Sequence, residues 1–270
     1  MDVRVRDLGY VYPTGVEALR GVMLDIASSE AVAIVGQNGA GKTTLVEHFI
    51  GLLRPTRGDV RIGDWDTRTK SVAQLAARVG YVFQNPDDQL FSRTVGQEIA
   101  FGPRNLGLGE SEVRARVAAA LETVGLADQV DRHPYDLMQT QRKFVALASV
   151  LALDTPVVVL DEPTTGQDAA GVERIGSIVE RLHAQGKTVI AISHDIDFCA
   201  ERFPRVVVMG QGRVLLDGAA GDVLARAEVL AQTYVEPPQL ARLALRLGAR
   251  RAPRNVVEFL QVVREEVPFT

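Results

Sequence analysis

An α/β fold with a mostly parallel core sheet, an antiparallel edge sheet and a helical subdomain is predicted by three observations. Continuous apolar runs recur at Ala31-Val-Ala-Ile-Val35, Val157-Val-Val-Leu160 and Thr188-Val-Ile-Ala-Ile192, as expected of parallel strands buried on both faces. Stretches of helical period follow them at 45–53, 172–182 and 196–203, giving strand–helix alternation. Helical patterns at 97–126 and 141–153 stand together ahead of the second run and read as an inserted subdomain of about 86–155.

Taken in chain order, Val3 and Val5, then Val22, Leu24 and Ile26, alternate with polar residues, so they form half-buried antiparallel strands joined by a turn-rich link at 10–15. Asp64 and Trp65 read as a turn between a strand and a helix, and an apolar strand precedes Gln84. Gly210-Gln-Gly212, flanked by valine and leucine runs, reads as a hairpin. Beyond Pro237-Pro238, 240–247 and 256–263 carry short amphipathic patterns, so a main domain at 1–235 is followed by a small helical extension at 236–270.

Composition narrows the chemistry. With 46% apolar and 24% charged residues among 270, the chain is globular rather than disordered. Its net charge of −4, with no basic block, argues against a nucleic-acid partner. Cys199 stands alone, so there is no internal disulfide, and a reducing cytosol fits. The longest uncharged apolar runs, 144–153 and 156–160, fall far short of the ~20 residues that cross a bilayer. His48, His133 and His183 lack metal-ligand spacing, and the arginines at 242–254 are expected to pair with acids or water.

Gly36-Gln-Asn38-Gly39-Ala-Gly41-Lys42-Thr43 matches G-x-x-x-x-G-K-[ST] between a buried-type strand and a helix. Glycines there let backbone N–H groups turn inward around phosphates, Lys42 reaches the terminal oxygens and Thr43 can ligate Mg²⁺. Asp161-Glu162 ends a parallel strand where ligands of such sheets gather. Asp161 can hold Mg²⁺ through water and Glu162 can polarise an attacking water; a plain strand-end turn is the alternative.

These residues, with Gln84, Asp168 and His194 in order, resemble the ATP-binding-cassette ATPases over residues 1 to about 225. The resemblance implies a P-loop NTPase fold binding ATP and Mg²⁺. It implies nucleotide contacts from Tyr12 (stacked on adenine), Gly36, Asn38, Gly39, Gly41, Lys42, Thr43 and Thr44, and Mg²⁺ held by Thr43, Gln84 and Asp161. Glu162, His194 and Gln84 become the catalytic set, His194 sensing the γ-phosphate and Gln84 reporting to a membrane partner, while Asp168 lies in the D-loop. Taken singly, Tyr12 also fits strand-edge packing, Gln84 a solvated amide and His194 a helix-start histidine. The segments at 80–91, 99–103 and 161–168 are similar to the energy-coupling-factor importer ATPases, which work with a transmembrane coupling protein and a substrate-binding membrane protein at the cytoplasmic face of the membrane. Within that resemblance, Asp87 and Asp88 could meet basic residues of a membrane subunit.

One segment departs from the family. Where it carries Leu-Ser-Gly-Gly-Gln, which closes over the partner cassette's γ-phosphate, this chain has Leu137-Met138-Gln139-Thr140-Gln141. Methionine cannot donate a hydroxyl hydrogen bond, and side chains replace both glycines. The expectation is a heterodimer with a second ABC ATPase subunit, one ATP site competent and one degenerate; a helix start that tolerates these residues is the alternative. The rival functions are a regulatory ATP-binding subunit, marked by indifference to Glu162→Gln, and a soluble cassette protein acting on nucleic acid or ribosomes, which usually needs a tandem cassette or a basic groove.

Overall fold

The computed structural model describes residues 1–266; the last four residues of the expected extension, 267–270, lie outside them. The strands are β1 (Val3–Val11), β2 (Glu17–Ile26), β3 (Ala31–Val35), β4 (Arg57–Ile62), β5 (Trp65–Asp66), β6 (Val79–Val82), β7 (Val157–Asp161), β8 (Thr188–Ile192), β9 (Arg205–Gly210) and β10 (Arg213–Ala219). The helices are α1 (Lys42–Glu47), α2 (Val72–Leu75), α3 (Val95–Asn105), α4 (Glu110–Val124), α5 (Gln139–Leu153), α6 (Ala169–Ala184), α7 (Ile196–Arg202), α8 (Ala220–Leu224), α9 (Ala227–Ala231), α10 (Gln239–Arg246) and α11 (Val256–Glu266).

Among the described residues the strands form two sheets. The core sheet runs β10-β9-β3-β8-β7-β6, parallel except for β10, and the second runs β2-β1-β4-β5, wholly antiparallel. Alternation along the core strands decides which face each residue serves. Val32, Ile34, Val157 and Val159 face the antiparallel sheet and α1, whereas Ala31, Ala33, Val35, Val158 and Leu160 pack with α3, α5 and α6.

The α/β class and its mostly parallel sheet are as predicted, with differences in detail. Tyr10 and Val11 belong to β1 rather than to a link, paired with Leu19 and Glu17, and the turn is confined to Tyr12–Val16, whose end residues share a hydrogen bond. Trp65 is a strand residue opposite Ile62, so the Asp64 turn joins two strands instead of a strand and a helix. The helix expected over 45–53 stops at Glu47. Nδ1 of His48 takes the Thr44 carbonyl at 2.7 Å, and the N–H groups of His48 and Phe49 turn to carbonyls three residues back, the tighter 3₁₀ pattern.

Because β3, β7, β8 and β6 are parallel neighbours, their C-terminal ends open onto one edge. Register pairs Ile34 and Asp161 with Ile192, and Val82 with Leu160. The loops that follow, carrying Gly36, Glu162, His194 and Gln84, therefore start side by side.

Candidate functional site

The turn from β3 into α1 is possible only with glycine at particular points. A Cβ on Gly36, at φ +153°, would lie 2.2 Å from the Met209 carbonyl oxygen, and one on Gly41, at φ +97°, would lie 2.8 Å from that of Ala18. Asn38 and Gly39 stand exposed at the loop tip. Lys42 is buried across the loop, its ammonium donating to the carbonyls of Gly36 (2.7 Å) and Gln37 (3.1 Å), and burial lowers its pKa. An incoming phosphate oxygen would replace these neutral acceptors by a charged one, which makes a stronger hydrogen bond.

Tyr12 lies against the start of α1. Its hydroxyl is 2.9 Å from that of Thr44, and its half-buried ring meets Tyr10 edge-on at 4.9 Å. The strand-edge packing and the place beside the loop are thus both real.

Asp161 is 2% exposed. Its Oδ2 accepts a 2.7 Å hydrogen bond from Tyr81, whereas its Oδ1 is buried without a partner. Burial raises the Asp161 pKa, while Tyr81 and the neighbouring Thr43 hydroxyl favour the charged form. An orphaned carboxylate oxygen beside a hydroxyl suits Mg²⁺, a hard cation with oxygen ligands, so Thr43 and Asp161 fit the expected metal. Gln84 is exposed and borders a separate cavity of about 240 Å³ with Gln139, Thr140, Lys143 and Thr165.

Glu162 follows in a left-handed conformation, φ +46°, uncommon for a residue with a side chain. Its Oε2 lies 2.7 Å from Nδ1 of His194 and accepts the His194 backbone N–H at 3.2 Å and the Ser193 hydroxyl at 3.4 Å. The carboxylate is 7% exposed and the imidazole 62%, so a buried base meets a solvent-facing partner. Asp168 has a local role as well, capping α6 through a 2.7 Å bond from the Gly171 N–H.

The segment at 137–141 starts α5. Leu137 is buried, Met138 is 67% exposed, and Gln139 is exposed. The Gln141 side chain turns back to accept the Met138 N–H at 3.2 Å. This helix start therefore forms without serine or glycine, and it presents a thioether and an amide outward.

Several partners escaped sequence reasoning. Tyr81 and Ser193 support the two acids, and Lys143, buried in α5, donates to the carbonyls of Glu162 (2.6 Å) and Thr165 (3.1 Å), with its pKa lowered by burial. The available signal for Lys143 was a lone cation opening a run, 143–148, that is buried throughout. Asp87 pairs with Arg142 at 3.0 Å while staying exposed, and Asp88 is exposed beside it. Cys199 is fully buried, and Arg242, Arg251 and Arg254 pair with glutamates of the extension as expected. No helix among the described residues is long and apolar enough to cross a membrane, and those residues hold no cluster of three or more metal-ligand side chains.

Comparison with known proteins places these features. The family model for ABC transporters matches residues 19–165. The chain is 41% identical over 247 residues to the energy-coupling factor transporter ATP-binding protein EcfA of Methanothermobacter thermautotrophicus, covering 91% of this chain and 79% of that protein. Among solved structures, CbiO1 from Clostridium perfringens, described as part of the ABC transporter complex cbiONQ, is 37% identical, with TM-score 0.75 over 89% of this chain and 97% of that one. The ATP-binding cassette MJ0796, solved as a dimer bound to ADP and Pi in a post-hydrolysis state, is 26% identical, with TM-score 0.74 over 81% of this chain and 98% of its own. The chain spans about two-fifths of the length of other curated relatives that it matches.

Proposed function

Since this chain belongs to the ABC transporter family, we propose that it is the ATP-binding and ATP-hydrolysing subunit of an energy-coupling-factor importer that takes up a micronutrient, a vitamin or a transition-metal ion. The observation that carries the reading is the convergence of the loop at 36–44, Asp161, Glu162 and His194 at one edge of the core sheet. The similarity to EcfA and CbiO1 supports the importer class.

In this reading the phosphates lie in the loop, with Lys42 transferred from its carbonyls to the terminal oxygens, and adenine rests on Tyr12. Thr43, Asp161 and Gln84 are the residues that would hold Mg²⁺, which when bound would supply neutralisation of charge developing on the transferred phosphoryl group. Glu162 polarises the water for in-line attack, and His194, already 2.7 Å from that carboxylate, meets the γ-phosphate from the solvent side. Domain 1–235, its helical part 86–155, carries this chemistry, and 236–270 forms an appendage.

The start of α5 argues for an asymmetric pair. A serine hydroxyl bond to phosphate contributes ~1.5–3 kcal/mol, which Met138 cannot supply, and Gln139 and Thr140 side chains keep the backbone from closing in. The chain then works beside a second ABC ATPase subunit with an ordinary signature, under a transmembrane coupling protein and a substrate-binding membrane protein, peripheral to the cytoplasmic face and without nucleic acid. Purified alone it should bind Mg–ATP saturably and hydrolyse it poorly. Co-purified with the cassette pulled down from detergent-solubilised membranes, it should turn over ATP, and Glu162→Gln should abolish that turnover. Brisk hydrolysis by the isolated chain would overturn the asymmetric pair, and absence of saturable binding would overturn the whole reading.

A further inference from the structure

Lys143 is the buried cation that the phosphate chemistry above leaves without a task. It lies one turn inside α5, 6% exposed, and reaches out of the helix to the turn that follows β7. There its ammonium donates to the carbonyl oxygens of Glu162 and Thr165, at 2.6 and 3.1 Å.

Glu162 is consequently held at each of its polar groups. Its N–H donates to the Ile192 carbonyl at 2.8 Å, its carbonyl accepts from Lys143 and, at 3.3 Å, from the Thr165 N–H, and its carboxylate accepts from Ser193 and His194. A residue with a side chain stays in the left-handed region only where its surroundings over-determine it. Of these restraints, the Lys143 bond is the charge-assisted one on the backbone, and it comes from another element.

We propose that Lys143 is a positioning residue for ATP hydrolysis. Its ammonium fixes the left-handed backbone of Glu162, so that the carboxylate points to where the attacking water must stand. The inference deepens the ATPase reading and rests on it for the catalytic consequence.

The same bond ties the start of α5 to the base. Gln167 Nε2 donates to the Thr140 carbonyl at 3.3 Å, and Arg142 pairs with Asp87 at 3.0 Å, so the first turn of α5 is fastened both to the turn after β7 and to the loop after β6. A displacement of 138–141 on docking to a second cassette is transmitted through Lys143 to the Glu162 backbone. Lysine has three donors and two are used here; the cavity of about 240 Å³ that Lys143 borders is large enough to admit a small alkylammonium ion.

The test uses the full chain as Lys143→Met, which keeps the stem and removes the charge, and as Lys143→Ala. Hydrogen exchange of the ATP-free chain should quicken at 162–167 by about tenfold or more, with β3 and β8 protected as before. ATPase of the assembled complex should lose about tenfold or more in kcat, with KM for ATP within about twofold, as for an interaction felt at the reacting centre alone. Ethylammonium should restore part of kcat to Lys143→Ala and none to Lys143→Met, whose side chain fills the space. Unchanged exchange at 162–167 overturns the proposal, as does faster exchange spread evenly over the chain, which marks a general packing role. If the wild-type complex lacks ATPase while exchange quickens locally, the ATPase reading fails and Lys143 still stands as the restraint on Glu162.

Discussion

His48 gives the chain an acid weakness whose size follows from its surroundings. The ring is wholly buried beneath Tyr10, edge-on at 5.0 Å, with Nδ1 on the Thr44 carbonyl and Nε2 without any partner. Burial disfavours the charged ring more than its bond to Thr44 and the nearby Arg54 backbone favour it, and so lowers its pKa from the ordinary 6.5. In the unfolded chain the ring takes its proton near pH 6.5, so stability present above that pH is lost as pH falls toward the lower folded value. Between pH 7.5 and pH 5 the linkage relation limits the loss to about 2 kcal/mol, reached if the folded ring stays neutral throughout.

His48→Phe isolates this effect, because the ring still fills the space while neither titrating nor donating to Thr44. The lost hydrogen bond costs about 1 kcal/mol, so the variant is the less stable protein at pH 7.5. It is spared the acid loss, so the two stability curves should converge as pH falls and cross near pH 6. Urea unfolding of ATP-free protein in chelator, followed at half-unit steps from pH 7.5 to 5, reads this directly, and titration of the surface acids cancels in the difference. Two curves that stay parallel would show that the ring keeps its solution pKa in the fold, and the reasoning from its burial would be wrong.

Other outcomes follow from the same site. Glu162→Gln should leave Mg–ATP affinity within about threefold and lower hydrolysis by about 10²-fold or more, in the range for losing a general base; equal loss of binding and turnover would point to a structural role. Gly36→Ala should abolish saturable ATP binding, because the added methyl meets the Met209 carbonyl at 2.2 Å and the loop must move; calorimetry with Mg–ATP decides it. Tyr12→Ala should weaken ATP about tenfold and Tyr12→Phe far less, as base stacking needs the ring and not the hydroxyl. Equal losses in both would assign the effect to the Thr44 hydrogen bond instead.

Much of this protein could be read from residue order because its local constraints are strong. A run such as Ala31–Val35 can be satisfied only by a strand covered on both faces, and Gly36 through Thr43 describe a backbone path that few other residues permit. What escaped were places where a distant group competes with local preference. Arg57–Ile62 is a strand because β1 offers it an edge, the two-residue strand at Trp65 because β4 then offers the next one, and the helix after Lys42 is cut short by the His48 side chain. Amino-acid order therefore determined the parallel core, the phosphate loop and the presence of two acids at a strand end. Only tertiary structure decided that Asp161 leans on Tyr81 eighty residues away, that Glu162 meets His194, and that a lysine of α5 grips the Glu162 backbone. The reason is physical: each of these bonds joins groups far apart in the chain, and their geometry exists only once the parallel strands have lined up their ends.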